Sequence, residues 1–181
     1  MTDRSKRKPK GEIEAKPVLP EGAAVFLKFL CTEARVFEFG SGGSTLWLSG
    51  FIKDLLSIED DPDWYAAVRA GLSKQGGSDA VWLVPEGEMA AAIDNTGEWD
   101  VVFVDCLINK TRRECILRSL NHVKPGGWLV ADDYNFPVVK RTIDGLPSSM
   151  WSTVIMRGKK AHPLSEKIVT TETAFCHKAV L

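Results

Sequence analysis

No stretch of this 181-residue chain approaches the run of about 18 apolar residues that spans a bilayer. An excess of one charge is also missing. Twenty-three basic residues stand against 24 acidic ones, a formal net charge of −1, so no domain-wide field draws the chain to nucleic acid or anionic lipid. The four cysteines, Cys31, Cys106, Cys115 and Cys176, form no CxxC pair, and with His122, His162 and His177 they make no zinc spacing. The start lacks the apolar stretch of a signal peptide. Together these absences predict a cytoplasmic protein with reduced thiols, no membrane association and no nucleic-acid partner. Repeats and low-complexity segments are missing too, and the length suits one domain.

What is present begins with "MTDRSKRKPK", five cations in ten residues. We read residues 1–19 as a basic, solvated tail and 20–181 as a single domain. Val25, Phe26, Phe29 and Leu30 fall at helical spacing within Glu21–Ala34. Short apolar runs follow at Val36–Phe39, Leu55–Ile58, Val81–Val84, Val101–Val104 and Trp128–Ala131, with helix-length segments Ser44–Gly50, Asp63–Leu72, Glu88–Ile93 and Arg112–Val123 between them. Strands apolar on both faces belong inside a parallel sheet covered by helices. The alternation predicts a doubly wound α/β fold. At the end, "WSTVIMRG" and "TETAFCHKAV" read as two strands joined by a loop with no crossover helix, so the seventh strand is expected to run antiparallel. Trp64, Trp82 and Trp128 fall in helix or strand patterns and are expected in the core.

The first strand ends at Phe39 and runs straight into "GSGGS". In an open parallel sheet, ligands bind beyond the carboxyl ends of the strands. Gly40, Gly42 and Gly43 permit close approach to the backbone, and Ser44 or Thr45 can cap the next helix; an empty tight turn is the alternative. A triphosphate-binding loop needs a lysine where Gly43 stands, and a dinucleotide loop needs Gly or Ala where Thr45 stands. Glu38, two residues before the first glycine, would face and repel a pyrophosphate. A carboxylate there suits a cationic ligand instead.

On these residues "VFEFGSGGST" resembles the first motif, [DE]-x-G-x-G, of the class I S-adenosylmethionine-dependent methyltransferases, with Ser44 replacing the third glycine of the fuller pattern. The resemblance implies a Rossmann-like methyltransferase fold, a mostly parallel seven-stranded sheet. It implies S-adenosylmethionine as cofactor, bound by Glu38, Gly40, Ser41, Gly42, Ser44 and Thr45. Glu59, which ends "LLSIE", occupies the family's ribose-binding position, and Glu86 in "VPEGE" lies near its adenine contact. Asp60 and Asp61 read as helix caps. "HVKPGGWLVADDY" is similar to the segment leading into the family's fifth strand, so the resemblance runs from about Val36 to Tyr134.

Methyl transfer from a sulfonium requires a positioned acceptor and, for a hydroxyl, a route for its proton. "WDVVFVDC" delivers Asp105 and "WLVADDYNF" delivers Asp132 and Asp133 at neighbouring strand ends. These positions are similar to those at which catechol-type and macrocin-type O-methyltransferases hold a divalent metal, which implies Mg²⁺ on Asp105, Asp132 and Asp133. Helix capping by solvated acids is the alternative. The catechol-type lysine falls on Ile108, with Lys110 as the nearest substitute, giving Asp105, Asp132 and Lys110 as catalytic candidates and Asp105 as a cofactor neighbour as well. Arg112 and Arg113 read as a polar helix face or as contacts to an anionic acceptor. The expected activity is O-methylation of a small hydroxylated molecule, with short loops that invite a homodimer to complete the acceptor pocket. A non-catalytic nucleoside-binding domain and an NAD-dependent oxidoreductase stand as alternatives.

Overall fold

The computed structural model describes residues 12–52, 54–77, 79–107, 109–161 and 167–180. The elements run α1 (Glu21–Cys31), β1 (Arg35–Phe39), α2 (Gly43–Ser49), β2 (Asp54–Glu59), α3 (Pro62–Lys74) and β3 (Val81–Leu83). A 3₁₀ helix (Met89–Ile93) then leads to β4 (Trp99–Val104), α4 (Asn109–Ser119), β5 (Val123–Ala131), α5 (Pro137–Asp144), β6 (Trp151–Ala161) and β7 (Ile168–Lys178). The sheet order is β3-β2-β1-β4-β5-β7-β6. Strands β1 to β5 run parallel, and β7 is antiparallel to both β5 and β6. The order reverses between β1 and β4, which opens the loops after these two strands into one crevice.

Alternation along the central strands explains why they are apolar throughout. Phe37, Phe39, Val102 and Val104 point into one core layer, and Val36, Val101, Phe103 and Phe175 into the other. Helices cover both faces, so neither set meets water. Each buried phenylalanine contributes about 1.5–3 kcal/mol. Helix α3 begins where Asp61 accepts from the backbone N–H groups of Asp63 (2.9 Å) and Trp64 (3.2 Å), with Pro62 in the first turn.

Several expectations change. Residues 12–19 are not a solvated tail: Ile13 packs beside Leu46, Val68 and Leu72, and Pro17 and Leu19 are buried. Apolar residues interleaved with the charges tie this segment down, while 1–11 lie outside the described residues. Trp82 is 53% exposed, because β3 is a three-residue edge strand rather than a central one. Helix α5 fills the stretch after β5, for which the sequence predicts no element. The final hairpin is longer than expected, with two eleven-residue strands. Among the described residues no helix is long and apolar enough to cross a membrane.

Candidate active site

The chain leaves β1 through Gly40, whose φ is +92° and whose missing Cβ would lie 2.8 Å from the carbonyl oxygen of Asp105 and from Cys106 Cα. Only glycine fits that conformation and that contact. The loop after β1 is thereby pressed against the loop after β4, and Asp105 N–H donates to Phe39 C=O at 2.9 Å.

Beneath this loop Glu38 is fully buried, so it does not face the crevice as its place beside the glycines suggests. Its carboxylate accepts from the hydroxyls of Ser44 (2.5 Å), Thr45 (2.6 Å) and Ser57 (2.7 Å). Thr45 Oγ1 also accepts from Gly42 N–H at 2.9 Å, closing the first turn of α2. Burial raises the Glu38 carboxyl above its ordinary pKa, and the three hydroxyls oppose that rise. The acid is thus a strut that shapes the loop.

Glu59 ends β2 and is 7% exposed. One oxygen accepts from Ser41 N–H (3.0 Å) and Ser41 Oγ (2.9 Å), and the other from the N–H groups of Asp60 (2.9 Å) and Asp61 (3.0 Å). Burial pushes its pKa up to about 7, against the hydrogen bonds from Asp61 N–H, Ser41 Oγ and Asp60 N–H. Glu59 and Ser41 therefore join the loops after β1 and β2. Beside them a shallow cleft of about 430 Å³ is lined by Asp60, Pro62, Leu83, Val84, Pro85 and Glu86, with Glu86 exposed on its rim. A second cavity, of about 490 Å³ and bordered by Ser49, Leu55 and Gln75, opens at the opposite end of β2.

Asp105, Asp132 and Asp133 do converge, with carboxylate oxygens within 4.8 Å of one another. They are already partnered. Arg112 donates to Asp105 Oδ1 (3.2 Å) and Asp133 Oδ2 (2.9 Å), and is fixed by the carbonyls of Cys106 (2.8 Å) and Asp132 (3.2 Å). Lys160, from β6, bonds Asp132 Oδ2 and lies 3.0 Å from Asp133 Oδ1. Thr173 donates to Asp132 Oδ1 (2.8 Å) and Thr171 to Asp133 Oδ1 (2.9 Å). Side-chain exposure is 0% for Asp132, 17% for Asp133 and 25% for Asp105, so Asp105 is the most open of the three.

Electrostatics sort the three acids. Burial, then the charge of Asp132, push Asp105 up to about 8, against Arg112 and Lys160. Burial also raises Asp132, with Lys160 opposing. Asp133 is lowered, because Arg112 and Lys160 outweigh its burial.

Tested against this arrangement, Mg²⁺ does not fit. An oxygen-ligated cation needs free carboxylate lone pairs, and here Arg112 holds Asp105 Oδ1 and Asp133 Oδ2 while Lys160 holds Asp132 Oδ2 and Asp133 Oδ1. Lys110 is exposed on the first turn of α4 and takes no part in the cluster. Lys160, whose sequence neighbourhood shows no special pattern, supplies the amine instead. Arg112 is only 3% exposed, neither a surface residue nor free for an anionic acceptor.

The methyltransferase-domain family matches residues 37–134, more than half of the chain. No curated protein matches. The fold is similar to that of an rRNA methylase from Streptococcus thermophilus (16% identity, TM-score 0.68, covering 90% of this chain and 99% of that one). It is also similar to the O-methyltransferase TomG from Streptomyces achromogenes, solved with S-adenosylmethionine (18%, 0.67, 88% and 79%). An O-methyltransferase from Bacillus cereus, solved with S-adenosylhomocysteine, is similar as well (17%, 0.68, 94% and 85%). With the glycine loop after β1, an acid closing β2 and the sheet order of this fold all in place, the chain belongs to the methyltransferase-domain family and is a class I S-adenosylmethionine-dependent methyltransferase.

Proposed function

We propose that the chain methylates a hydroxyl oxygen of a small molecule held at Asp105, with S-adenosylmethionine lying along the carboxyl ends of β1 to β3. In this reading Glu59 would accept from the ribose hydroxyls on the oxygen to which Ser41 Oγ donates. The cleft lined by Leu83 and Glu86 would hold the adenine, and Gly40 to Gly42 the methionine end. When bound, S-adenosylmethionine would supply the methyl group and leave as a neutral thioether, and Asp105 would accept the proton of the acceptor hydroxyl. A raised pKa makes the ionised Asp105 carboxylate a stronger base, and its ionised fraction grows as pH rises through about 8.

The carrying observation is the backbone contact between Gly40 and Asp105, which sets the most open carboxylate of the cluster beside the cofactor loop. The neighbours include an rRNA methylase as well as O-methyltransferases. Asp60, Glu86 and Asp105 around the crevice favour a neutral or cationic small molecule over a phosphate backbone. The test is transfer of a labelled methyl group from S-adenosylmethionine to a panel of small phenols, sugars and hydroxy acids. Transfer to one of them, reduced in Asp105→Asn, is expected. Binding of the cofactor with no turnover on hydroxylated, amine or RNA substrates would show a nucleoside-binding domain instead.

A further inference from the structure

Three carboxyl groups meet at two strand ends, and Arg112 and Lys160 bring two positive charges to them, the charge of one divalent cation. Lys160 bridges Asp132 and Asp133, where an ion shared by these acids would have to sit. Its side chain is 8% exposed, and Asp132 beneath it is fully buried, so the ammonium belongs to the interior and is not a surface ion pair. The bridge comes from β6, beyond the matched residues 37–134, and β7 adds the Thr171 and Thr173 hydroxyls to the same two acids. The hairpin therefore completes the carboxylate cluster with a cation and two neutral donors.

We propose that Lys160 is a built-in counter-ion standing in the place of a divalent metal, so that the carboxylate cluster needs no metal ion to hold its shape and leave Asp105 open. A buried carboxylate with no partner is strongly unfavourable. An ionised Asp132 is then matched by a cation from the chain or from solution, and Lys160 excludes the second by being the first. Arg112 alone cannot replace it, because its side-chain bonds go to Asp105 and Asp133, and it meets Asp132 only at the main-chain carbonyl. The role is one of positioning: Lys160 holds Asp132 and Asp133, and through the shared Arg112 fixes Asp105.

The inference rests on the proposed acceptor end only for its consequence in turnover. Occupancy by metal is measured without cofactor or acceptor, so the two fail separately. The experiment is a Mn²⁺ titration of the full-length protein followed by electron paramagnetic resonance, comparing the wild type with Lys160→Met and with the double variant Asp132→Asn/Lys160→Met. The wild type should show no saturable site. Lys160→Met should gain one Mn²⁺ per chain, at least tenfold tighter than any wild-type binding, and the double variant should lose it. A one-to-one site in the wild type that disappears in Asp132→Asn would overturn the proposal, as would Lys160→Met with no gain. If Lys160→Met does not fold, the wild-type and Asp132→Asn titrations decide alone: a shared absence of binding supports the proposal, and a site dependent on Asp132 contradicts it.

Discussion

The donor end and the acceptor end of this sheet both bury carboxylates at strand termini, and they satisfy them differently. Glu38 and Glu59 are held by hydroxyls and backbone N–H groups that come from the segment 41–61. Asp132 and Asp133 are held by Arg112 and Lys160, with Lys160 reaching back 28 residues from the final hairpin. Neutral donors leave Glu59 free to exchange one bond for a ligand's hydroxyl. Ion pairs fix the Asp132–Asp133 pair more firmly and leave Asp105 as the responsive group. The same chemical problem thus has an adaptable solution where the cofactor is expected to dock and a rigid one where the acceptor is expected to be oriented.

Substitutions can break this division at each end. Asp105→Asn is expected to lower kcat ~10²–10⁴-fold, the range of a lost general base, with S-adenosylmethionine affinity kept within a few-fold by calorimetry. Gly40→Ala should weaken cofactor binding on the order of a hundredfold and lower the melting temperature. A left-handed φ at a non-glycine residue costs about 1–3 kcal/mol, and the new Cβ would also meet the Asp105 carbonyl at 2.8 Å. Glu59→Gln should weaken binding about tenfold, from the loss of charge-assisted hydrogen bonds worth about 1.5–3 kcal/mol each; unchanged affinity would remove the ribose assignment.

The pH dependence of binding sharpens the donor side. Burial raises the folded pKa of Glu59 to about 7, so folding favours its protonated form below that pH. Its contribution to stability is full below the ordinary carboxylate value and is lost as pH rises through about 7. Ribose hydroxyls donate to the ionised form, so affinity should rise several-fold between pH 6 and 8 and then level off. In Glu59→Gln the profile should be flat across that window. The smallest effect is expected from Lys110→Ala, under twofold on kcat and on binding, since this side chain stands outside the carboxylate cluster.

The donor end is legible in the sequence because its partners are close together in the chain. Glu38, the glycines, Ser44, Thr45 and Glu59 fall within 22 residues, and strand-loop-helix order alone places them at one sheet edge. What sequence does not show is direction: Glu38 is the penultimate residue of a strand buried on both faces, and it points under the loop rather than into the crevice. At the acceptor end the convergence of Asp105, Asp132 and Asp133 follows from the parallel pairing of β4 and β5. Their cations do not follow, because Arg112 reads as a polar helix face until the fold buries it against Asp105, Asp133 and the carbonyls of Cys106 and Asp132. Lys160 meets the acids only once the hairpin register is set, with Lys160 opposite Val169. Long-range antiparallel register leaves no local pattern in the sequence. For the same reason the edge position of β3, and with it the exposure of Trp82, cannot be read from an apolar run.

The division between the two ends is tested most directly by titrating S-adenosylmethionine into the wild type, Glu59→Gln and Lys160→Met by isothermal calorimetry at pH 7.5. The account predicts one site per chain, weakened about tenfold or more by Glu59→Gln, the loss expected for a charge-assisted hydrogen bond, and changed less than about twofold by Lys160→Met. Equal losses in both variants, or a loss only in Lys160→Met, would contradict it.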